Sequence, residues 1–447
     1  MLNVCFMSIG FPNFRYDIAQ KILGKSLEWM RQNESINLIE CCKVLIQEED
    51  IKQEFIEMKK ANPDVFILQL GTYSYGSALM MYLQEIKDVH LVLWSLREPM
   101  IPDYPGLPLN SLCALNMYTS FLYRMEITDF SVVYGGLEEK KIHKKLSSIL
   151  KACAIKKKLH QAKFCVVGGR VPGFYLSNVD ELKFRQKIGP EIINLSIASL
   201  IQRAESIEVS RVQEDIKKTK TLVGCISASE ESMEKTSRVY LALKDYAKEN
   251  QITAYALKCW PDFQEVYNLA ICGVVSKLNN EGLLASCEGD VTGLATMLIQ
   301  QELTDMPVFL TDLVNISEEG TVKLWHCGAA APALARDKNK VCMGEHPTMK
   351  QGLGVGVNMD LMPGKLTVCK LSEGDPYRLL ICEGECIEPD RQLTGNQGDI
   401  KLIGSTDKLL ETIVEKGIEH HYCIAYNCDT DSLKIFGKIC GFEILEV

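Results

Sequence analysis

The sequence contains no run of apolar residues long enough to cross a lipid bilayer. A membrane-spanning helix needs about 20 consecutive apolar residues, and even the stretch 107–123 is interrupted by Asn110, Asn116 and Ser120. An excess of positive charge is also missing, because 49 Lys and Arg stand against 58 Asp and Glu and leave a net charge of −9. A net acidic chain repels polyanions. We therefore expect neither a membrane nor a nucleic acid as its partner.

Cysteine pairs with CxxC spacing are absent as well, although the chain has 18 cysteines. The nearest approaches are the adjacent Cys41 and Cys42 and the pair Cys382 and Cys386. Such spacings give little support to a zinc site made of cysteines alone. Residues 1–10 lack the basic segment and the cleavage site of a signal peptide. Together these features predict reduced thiols in a cytoplasmic protein.

The glycine-rich segments do not carry a nucleotide-binding motif. Segment 166–174 follows a predicted strand but contains neither GxGxxG nor GK[ST], and Pro172 interrupts the turn into a helix. Segment 352–356 is followed by strand-like residues, where a dinucleotide site needs a helix. Nucleotide binding is therefore not expected. The alternative for segment 166–174 is a tight turn in which Arg170 forms a salt bridge.

The composition is that of a globular protein with several domains. Hydrophobic residues make up 47% and charged residues 24% of the chain, and its length is about three times that of an ordinary ~150-residue domain. In the first third, helical patterns alternate with apolar runs that are typical of strands, at 3–8, 37–45, 65–70, 90–96 and 130–134. This β-α-β alternation predicts a parallel, doubly wound sheet in a domain that spans 1–158.

Two further domains are predicted. The second, 159–305, repeats the strand and helix alternation, with strands expected at 164–170, 222–226, 254–259 and 283–286. The third, 306–447, is rich in strand-like segments and contains one helix that begins near Ser405 and ends at Gly417. The fold class is therefore α/β, with two doubly wound α/β domains followed by a β-rich domain that is a barrel or a sandwich.

Acidic and histidine side chains lie in or beside three apolar strands near the predicted boundary at 305. They are Glu288, Asp312 and His326. A charge in such surroundings is costly unless a metal ion or a partner compensates it. We interpret these residues as converging metal ligands. Asp290 is either a fourth ligand or the N-cap of the helix that follows it.

Two adjacent histidines, His420 and His421, lead into a later strand. Neighbours in a strand point to opposite faces, so only one of the two can enter a given site. Two carboxylates with one or two imidazoles favour Mn²⁺ or a similar divalent ion as the cofactor. Cys287 and Cys327 adjoin these ligands and could shift the preference to zinc, but as sequence neighbours they are expected to face away. His346 is interpreted as a loop histidine.

Several motifs together resemble the L-fucose isomerase-like proteins, which share a fold with L-arabinose isomerase. The motifs are Gly169-Arg-Val-Pro-Gly-Phe174, Lys258-Cys-Trp-Pro261, Leu278-Asn-Asn-Glu-Gly282, Cys287-Glu-Gly-Asp290, the segment 309–313 and His326-Cys-Gly328. The likeness covers nearly the whole chain and is strongest from about 164 to 330. It implies that Glu288, Asp312 and His421 bind the metal ion, and that His326 corresponds to an additional histidine ligand of the arabinose enzymes. It also implies a homo-oligomer, namely a trimer, tetramer or hexamer.

The resemblance implies an enzyme of carbohydrate metabolism. The expected reaction is the metal-dependent interconversion of an aldose and a ketose through an enediol, on a pentose or 6-deoxyhexose of the L-fucose, L-arabinose or D-arabinose type. Glu288 and Asp312 are the expected catalytic residues. Candidates for contacts to the monosaccharide are Arg170, Trp260, Trp94 and Tyr75. Two alternatives stay open: a non-catalytic cytoplasmic sugar-binding protein or sensor, and a metal-dependent sugar epimerase or aldolase.

Overall fold

The computed structural model describes residues 1–349, 352–389 and 393–447. The chain divides into two compact units, one made of 1–157 with 434–441 and the other of 158–433 with 442–447. The second unit contains the regions that the sequence assigns to the second and third domains, and that three-domain division stays a prediction. Among the described helices, none combines the length and the apolar character that crossing a membrane requires.

The first unit contains one parallel sheet of five strands in the order β2-β1-β3-β4-β5, as the sequence predicts. Strands β3 and β4 are buried at every position, which is typical of a sheet that helices cover on both faces. The elements are β1 Leu2–Ile9, α1 Tyr16–Arg31, β2 Ile36–Leu45, α2 Glu48–Lys59, β3 Val65–Leu70, α3 Ser77–Glu85, β4 His90–Ser95, α4 Ser111–Arg124, β5 Phe130–Tyr134 and α5 Lys140–Gln161.

The second unit begins with a four-stranded parallel sheet in the order β7-β6-β9-β10. Its strands alternate with helices, as predicted. The elements of this region are β6 Lys163–Val167, α6 Glu181–Lys187, β7 Glu191–Leu195, α7 Ile197–Glu205, α8 Val209–Leu222, β8 Cys225–Ile226, α9 Glu230–Asn250, β9 Ala254–Leu257, α10 Asp262–Tyr267, α11 Cys272–Asn280, β10 Leu284–Ser286 and α12 Val291–Gln301.

The prediction that 222–226 forms a strand of this parallel sheet is wrong. Strand β8 has two residues and pairs instead with a strand of the following β-rich region. The backbone N–H groups of Gly224 and Cys225 both donate to the carbonyl of Val341. Gly224 permits this close approach, since a Cβ there would collide with the backbone of Asn339.

Among the described residues, the nine strands of the β-rich region and β8 form one ten-stranded sheet, six strands of which close on themselves. Each neighbouring pair in the circle β16-β15-β18-β11-β12-β17-β16 is antiparallel. The region is therefore a barrel and not a sandwich. Its elements are β11 Phe309–Ile316, β12 Thr321–His326, β13 Cys342–Glu345, β14 Gly354–Asp360, β15 Gly364–Ser372, β16 Arg378–Ile387, β17 Asn396–Leu402, α13 Thr406–Lys416, β18 His421–Tyr426 and β19 Glu443–Glu446. Helix α14, Thr430–Ile439, follows β18 in the chain and belongs mostly to the first unit.

Candidate active site

Glu288 lies in the short loop between β10 and α12, where open α/β sheets commonly bind ligands. The loop is tight: Glu288 and Gly289 both have positive φ angles, of 60° and 71°. A Cβ on Gly289 would lie 2.6 Å from the carbonyl oxygen of Gly169, so the loop that follows β6 packs directly against this turn. Burial alone would raise the pKa of Glu288, but the neighbouring imidazoles of His420 and His421 lower it to about 2.

Asp312 and His421 face each other across two neighbouring strands of the barrel. They are direct register partners in the antiparallel pair of β11 and β18, and such partners project from the same face of a sheet. The Nε2 atom of His421 lies 3.8 Å from Asp312 Oδ1 and 3.3 Å from Glu288 Oε2. The structure thus brings together three of the predicted metal ligands.

Asp290 fixes the orientation of the His421 ring through a contact with its Nδ1 atom. Its Oδ2 atom lies 3.0 Å from His421 Nδ1, while Oδ1 accepts the backbone N–H of Gly293 at 2.7 Å and caps α12. Burial alone would raise the pKa of Asp290, but the Lys370 ammonium and His421 hold it well below its usual range. The capping alternative is therefore confirmed. Since Nδ1 of His421 is engaged by a carboxylate, Nε2 is directed toward Glu288 and Asp312, as in many metal-binding histidines.

Two atoms at this point lack hydrogen-bond partners. Asp312 Oδ1 and His421 Nε2 are buried and accept or donate no hydrogen bond within the described residues. Ligand atoms about 2.1 Å from an octahedral ion lie roughly 3 Å apart, which is close to the 3.3 Å between His421 Nε2 and Glu288 Oε2. Carboxylate and imidazole ligands suit Mn²⁺ or a similar ion. The residues present therefore fit the predicted cofactor.

The other two histidines lie at the edge of this group. His326, the last residue of β12, has its ring centroid 5.8 Å from that of His421, and its Nδ1 accepts the N–H of Cys327 at 2.9 Å. Burial would lower the pKa of His326, but Cys327 and the carboxylates of Asp312 and Glu288 raise it to about 10. His420 Nε2 lies 3.4 Å from Glu288 Oε2, and its side chain is 54% exposed. His420 thus borders the side of the site that is open to solvent.

Aromatic side chains extend from His420 toward Trp260, one of the predicted sugar contacts. Phe174 lies between them, with edge-on contacts of 5.7 Å to His420 and 5.8 Å to Trp260 between ring centroids. Phe174 is not among the sugar contacts predicted from sequence, although it ends the Gly169 to Phe174 motif. Arg170 lies in the same motif, where its guanidinium stacks 4.6 Å from the centroid of Tyr175. In the part of the chain that is described, the alternative salt bridge of Arg170 is not found.

The two predicted sugar contacts from the first unit differ from each other. Trp94 is fully buried, and its only polar atom, Nε1, donates to the carbonyl of Gly135 at 3.0 Å. The prediction that Trp94 contacts the substrate is therefore wrong, because it has no surface against which a sugar could stack. Tyr75 is 54% exposed and has an edge-on contact with Phe11. Its contact with substrate stays a prediction.

No family model matches the chain. Among solved structures, a galactofuranose-binding protein is 13% identical with a TM-score of 0.17, and 64% of this chain and 81% of that one are covered. GanP, a glucose-galactose-binding protein from Geobacillus stearothermophilus, is 11% identical with a TM-score of 0.17, and the coverage is 68% and 90%. Sequence identities and TM-scores this low support no conclusion about fold or function.

The informative likeness is to curated proteins, over the full length of the chain. A sulfoquinovose isomerase from Priestia megaterium is 28% identical over 451 residues, covering 99% of this chain and 98% of that protein. One from Alkalicoccus urumqiensis is 25% identical over 450 residues and covers both chains completely. One from Clostridium sp. (strain MSTE9) is 28% identical over 446 residues. These relatives confirm the predicted enzyme class, an isomerase that interconverts an aldose and a ketose sugar.

Proposed function

We propose that this isomerase depends on a divalent metal ion, works through an enediol, and acts on sulfoquinovose, the sugar for which its relatives are named. The observation that carries the metal dependence is the convergence of Glu288, Asp312 and His421 around two buried atoms, Asp312 Oδ1 and His421 Nε2, that no described residue satisfies. An epimerase or an aldolase would use the same carboxylates, so the reaction products distinguish these alternatives from an isomerase.

The two carboxylates are the groups that move protons. A positioned base contributes roughly 10²–10⁴-fold to such a reaction. In our proposal one of Glu288 and Asp312 accepts the proton from C2 of the aldose and then delivers a proton to C1, while the other relays the hydroxyl proton from O2 to O1. When bound, a divalent ion supplies the Lewis acidity that stabilises negative charge on these sugar oxygens. Asp290 orients His421 so that its Nε2 lone pair faces this space.

The surroundings of the site suggest how the sugar is held. Trp260 and Phe174 offer apolar edges next to His420. Arg170 belongs to the loop that packs on Gly289, beside Glu288. Sulfoquinovose carries a sulfonate, and a guanidinium is well suited to bind such an anion through charge-assisted hydrogen bonds. We propose that Arg170 binds the sulfonate, which pentoses and 6-deoxyhexoses lack.

The proposal is tested by supplying the Mn²⁺-loaded protein with sulfoquinovose, L-fucose, L-arabinose or D-arabinose in deuterated water and following each sugar by NMR. Ketose formation from sulfoquinovose, with deuterium at C2 of the recovered aldose, is the expected result. Turnover of only the uncharged sugars would overturn the substrate assignment. Binding without turnover would indicate a sensor, cleavage an aldolase, and a new aldose without ketose an epimerase; each of these would refute the proposed reaction.

Two matched variants test the carboxylate role. Glu288→Gln should abolish isomerisation and deuterium exchange while the far-ultraviolet circular dichroism stays unchanged. Glu318→Gln is the control, because Glu318 is exposed in the turn between β11 and β12. Retention of more than about a tenth of the activity in Glu288→Gln would rule out Glu288 as an essential residue.

A further inference from the structure

A second group of possible ligands, distinct in chemistry from the carboxylate site, lies in the second unit. The Sγ atoms of Cys272 and Cys327 and a ring nitrogen of His346 lie within 4.8 Å of one another. The two sulfur atoms are 3.6 Å apart. The thiol of Cys287 is not part of this 4.8 Å group, but it neighbours the thiols of Cys272 and Cys327 and also that of Cys259. We call Cys272, Cys287, Cys327 and His346 the thiol cluster.

The thiol cluster is assembled by backbone pairing around β14. Ala270 pairs with the start of this strand through two hydrogen bonds, Ala270 N to Gly354 O and Val355 N to Ala270 O, which places Cys272 beside it. His346 follows β13, the antiparallel neighbour of β14. Gly356 lets the chain segments meet, because a Cβ there would lie 3.2 Å from the carbonyl oxygen of Cys327 and 3.6 Å from the Cα of His346.

In the described part of the chain, His346 has a buried ring nitrogen without a hydrogen-bond partner, which is independent support for a ligand-binding site. Its side chain is only 5% exposed, and its Nε2 atom has no hydrogen-bond partner within the described residues. The other ring nitrogen, Nδ1, accepts the backbone N–H of Thr348 at 3.3 Å. A buried imidazole nitrogen without a partner is costly. A bound metal ion would satisfy this atom.

We propose that Cys272, Cys287, Cys327 and His346 bind one soft divalent ion, such as Zn²⁺, at a site separate from the carboxylate site. Thiolates and imidazole in a tetrahedral arrangement are the ligands that Zn²⁺ prefers. With Zn–S bonds of about 2.3 Å, sulfur ligands lie roughly 3.8 Å apart, and the Cys272 and Cys327 sulfurs are separated by 3.6 Å. In a disulfide the separation would be about 2.05 Å.

The position of the thiol cluster gives the ion a structural role. Cys287 directly precedes Glu288, and Cys327 directly follows His326. An ion held by these two cysteines would connect the loop after β10 with the end of β12, and it would hold both against α11 and β13 through Cys272 and His346. The proposal does not depend on the reaction catalysed, since it rests on residues other than the proposed catalytic ones.

The test uses Co²⁺ as a spectroscopic probe of the reduced, metal-free full-length protein. A thiolate-to-cobalt charge-transfer band should grow to saturation at one equivalent, and Zn²⁺ should remove it whereas Mn²⁺ should not. In Glu288→Gln the band should persist, which distinguishes the thiol cluster from the carboxylate site. Absence of a thiolate band in the wild-type protein would overturn the proposal, and so would a disulfide between Cys272 and Cys327 in the protein isolated without reductant and free of zinc.

Variants identify the ligands. Cys272→Ser and His346→Gln should each weaken Zn²⁺ binding by at least about tenfold, measured by competition with a chromophoric chelator. Cys165→Ser is the matched control, because Cys165 is an equally buried thiol in β6 that lies outside the thiol cluster. Unchanged Zn²⁺ affinity in both ligand variants would overturn the assignment. If a variant does not fold, the wild-type cobalt titration still decides the question.

Discussion

The buried ion pair behind His421 permits a quantitative prediction. Lys370 is fully buried in β15, and its Nζ lies 3.5 Å from Asp290 Oδ2 and 4.0 Å from Glu419 Oε2. Two unit charges 3.5 Å apart attract by roughly 5 kcal/mol at an effective dielectric constant of about 20. Lys370→Met keeps most of the side-chain volume but leaves two buried carboxylates without their cation. Since breaking a buried pair in this way costs about 3–5 kcal/mol, we expect the free energy of unfolding to fall by that amount.

The measurement is denaturant unfolding at neutral pH, followed by intrinsic fluorescence. Lys365→Met is the matched control, because Lys365 is exposed on the same strand, and it should change the free energy of unfolding by no more than about 0.5 kcal/mol. The double variant Lys370→Met/Asp290→Asn should be less destabilised than the sum of its single variants, by about 1 kcal/mol or more. Equal stability of Lys370→Met and Lys365→Met, or strict additivity in the double variant, would refute the reasoning.

Three further predictions concern the site and the first unit. Asp312→Asn should weaken Mn²⁺ binding at least about tenfold in isothermal titration, because a neutral amide replaces a charged ligand; unchanged affinity would contradict the ligand assignment. Trp260→Ala should raise KM more than it lowers kcat, because it removes a surface for the sugar and leaves the carboxylates in place; an unchanged KM would exclude that contact. Trp94→Ala should destabilise the protein by about 3–5 kcal/mol in denaturant unfolding, as expected for a fully buried aromatic, and a loss of substrate affinity at full stability would restore Trp94 as a binding residue.

Much of the fold follows from local patterns. The continuous apolar runs at 65–70 and 90–96 correspond to β3 and β4, whose burial on both faces requires apolar residues at successive positions. Local sequence wrongly predicts that segment 222–226 joins the parallel sheet. Its actual partner strand, β13, lies more than 100 residues later, and a local pattern cannot show pairing over such a separation. For the same reason the choice between barrel and sandwich depended on the pairing of β16 with β17, which closes the circle.

Some residues of the candidate site could likewise be predicted from local sequence, and others could not. Glu288 and Asp312 could be selected from sequence because an acid beside an apolar strand is unusual whatever the rest of the fold. His421 could be selected only as one of an adjacent pair, since alternation along a strand says that one of two neighbours faces the site but not which one. The structure distinguishes the two: His421 is buried and held by Asp290, whereas His420 is half exposed.

Local sequence patterns were enough to predict the alternation of strands and helices, the lack of a long apolar run and the places where acids adjoin apolar strands. Each of these is a property of residues close together in the chain. The positions of Asp290 and Lys370 next to His421, and of Cys272 and His346 next to Cys327, follow only from the three-dimensional fold. These contacts join residues tens of positions or more apart, and their geometry is set by barrel closure and by the packing of glycine-containing strands, which no local pattern specifies.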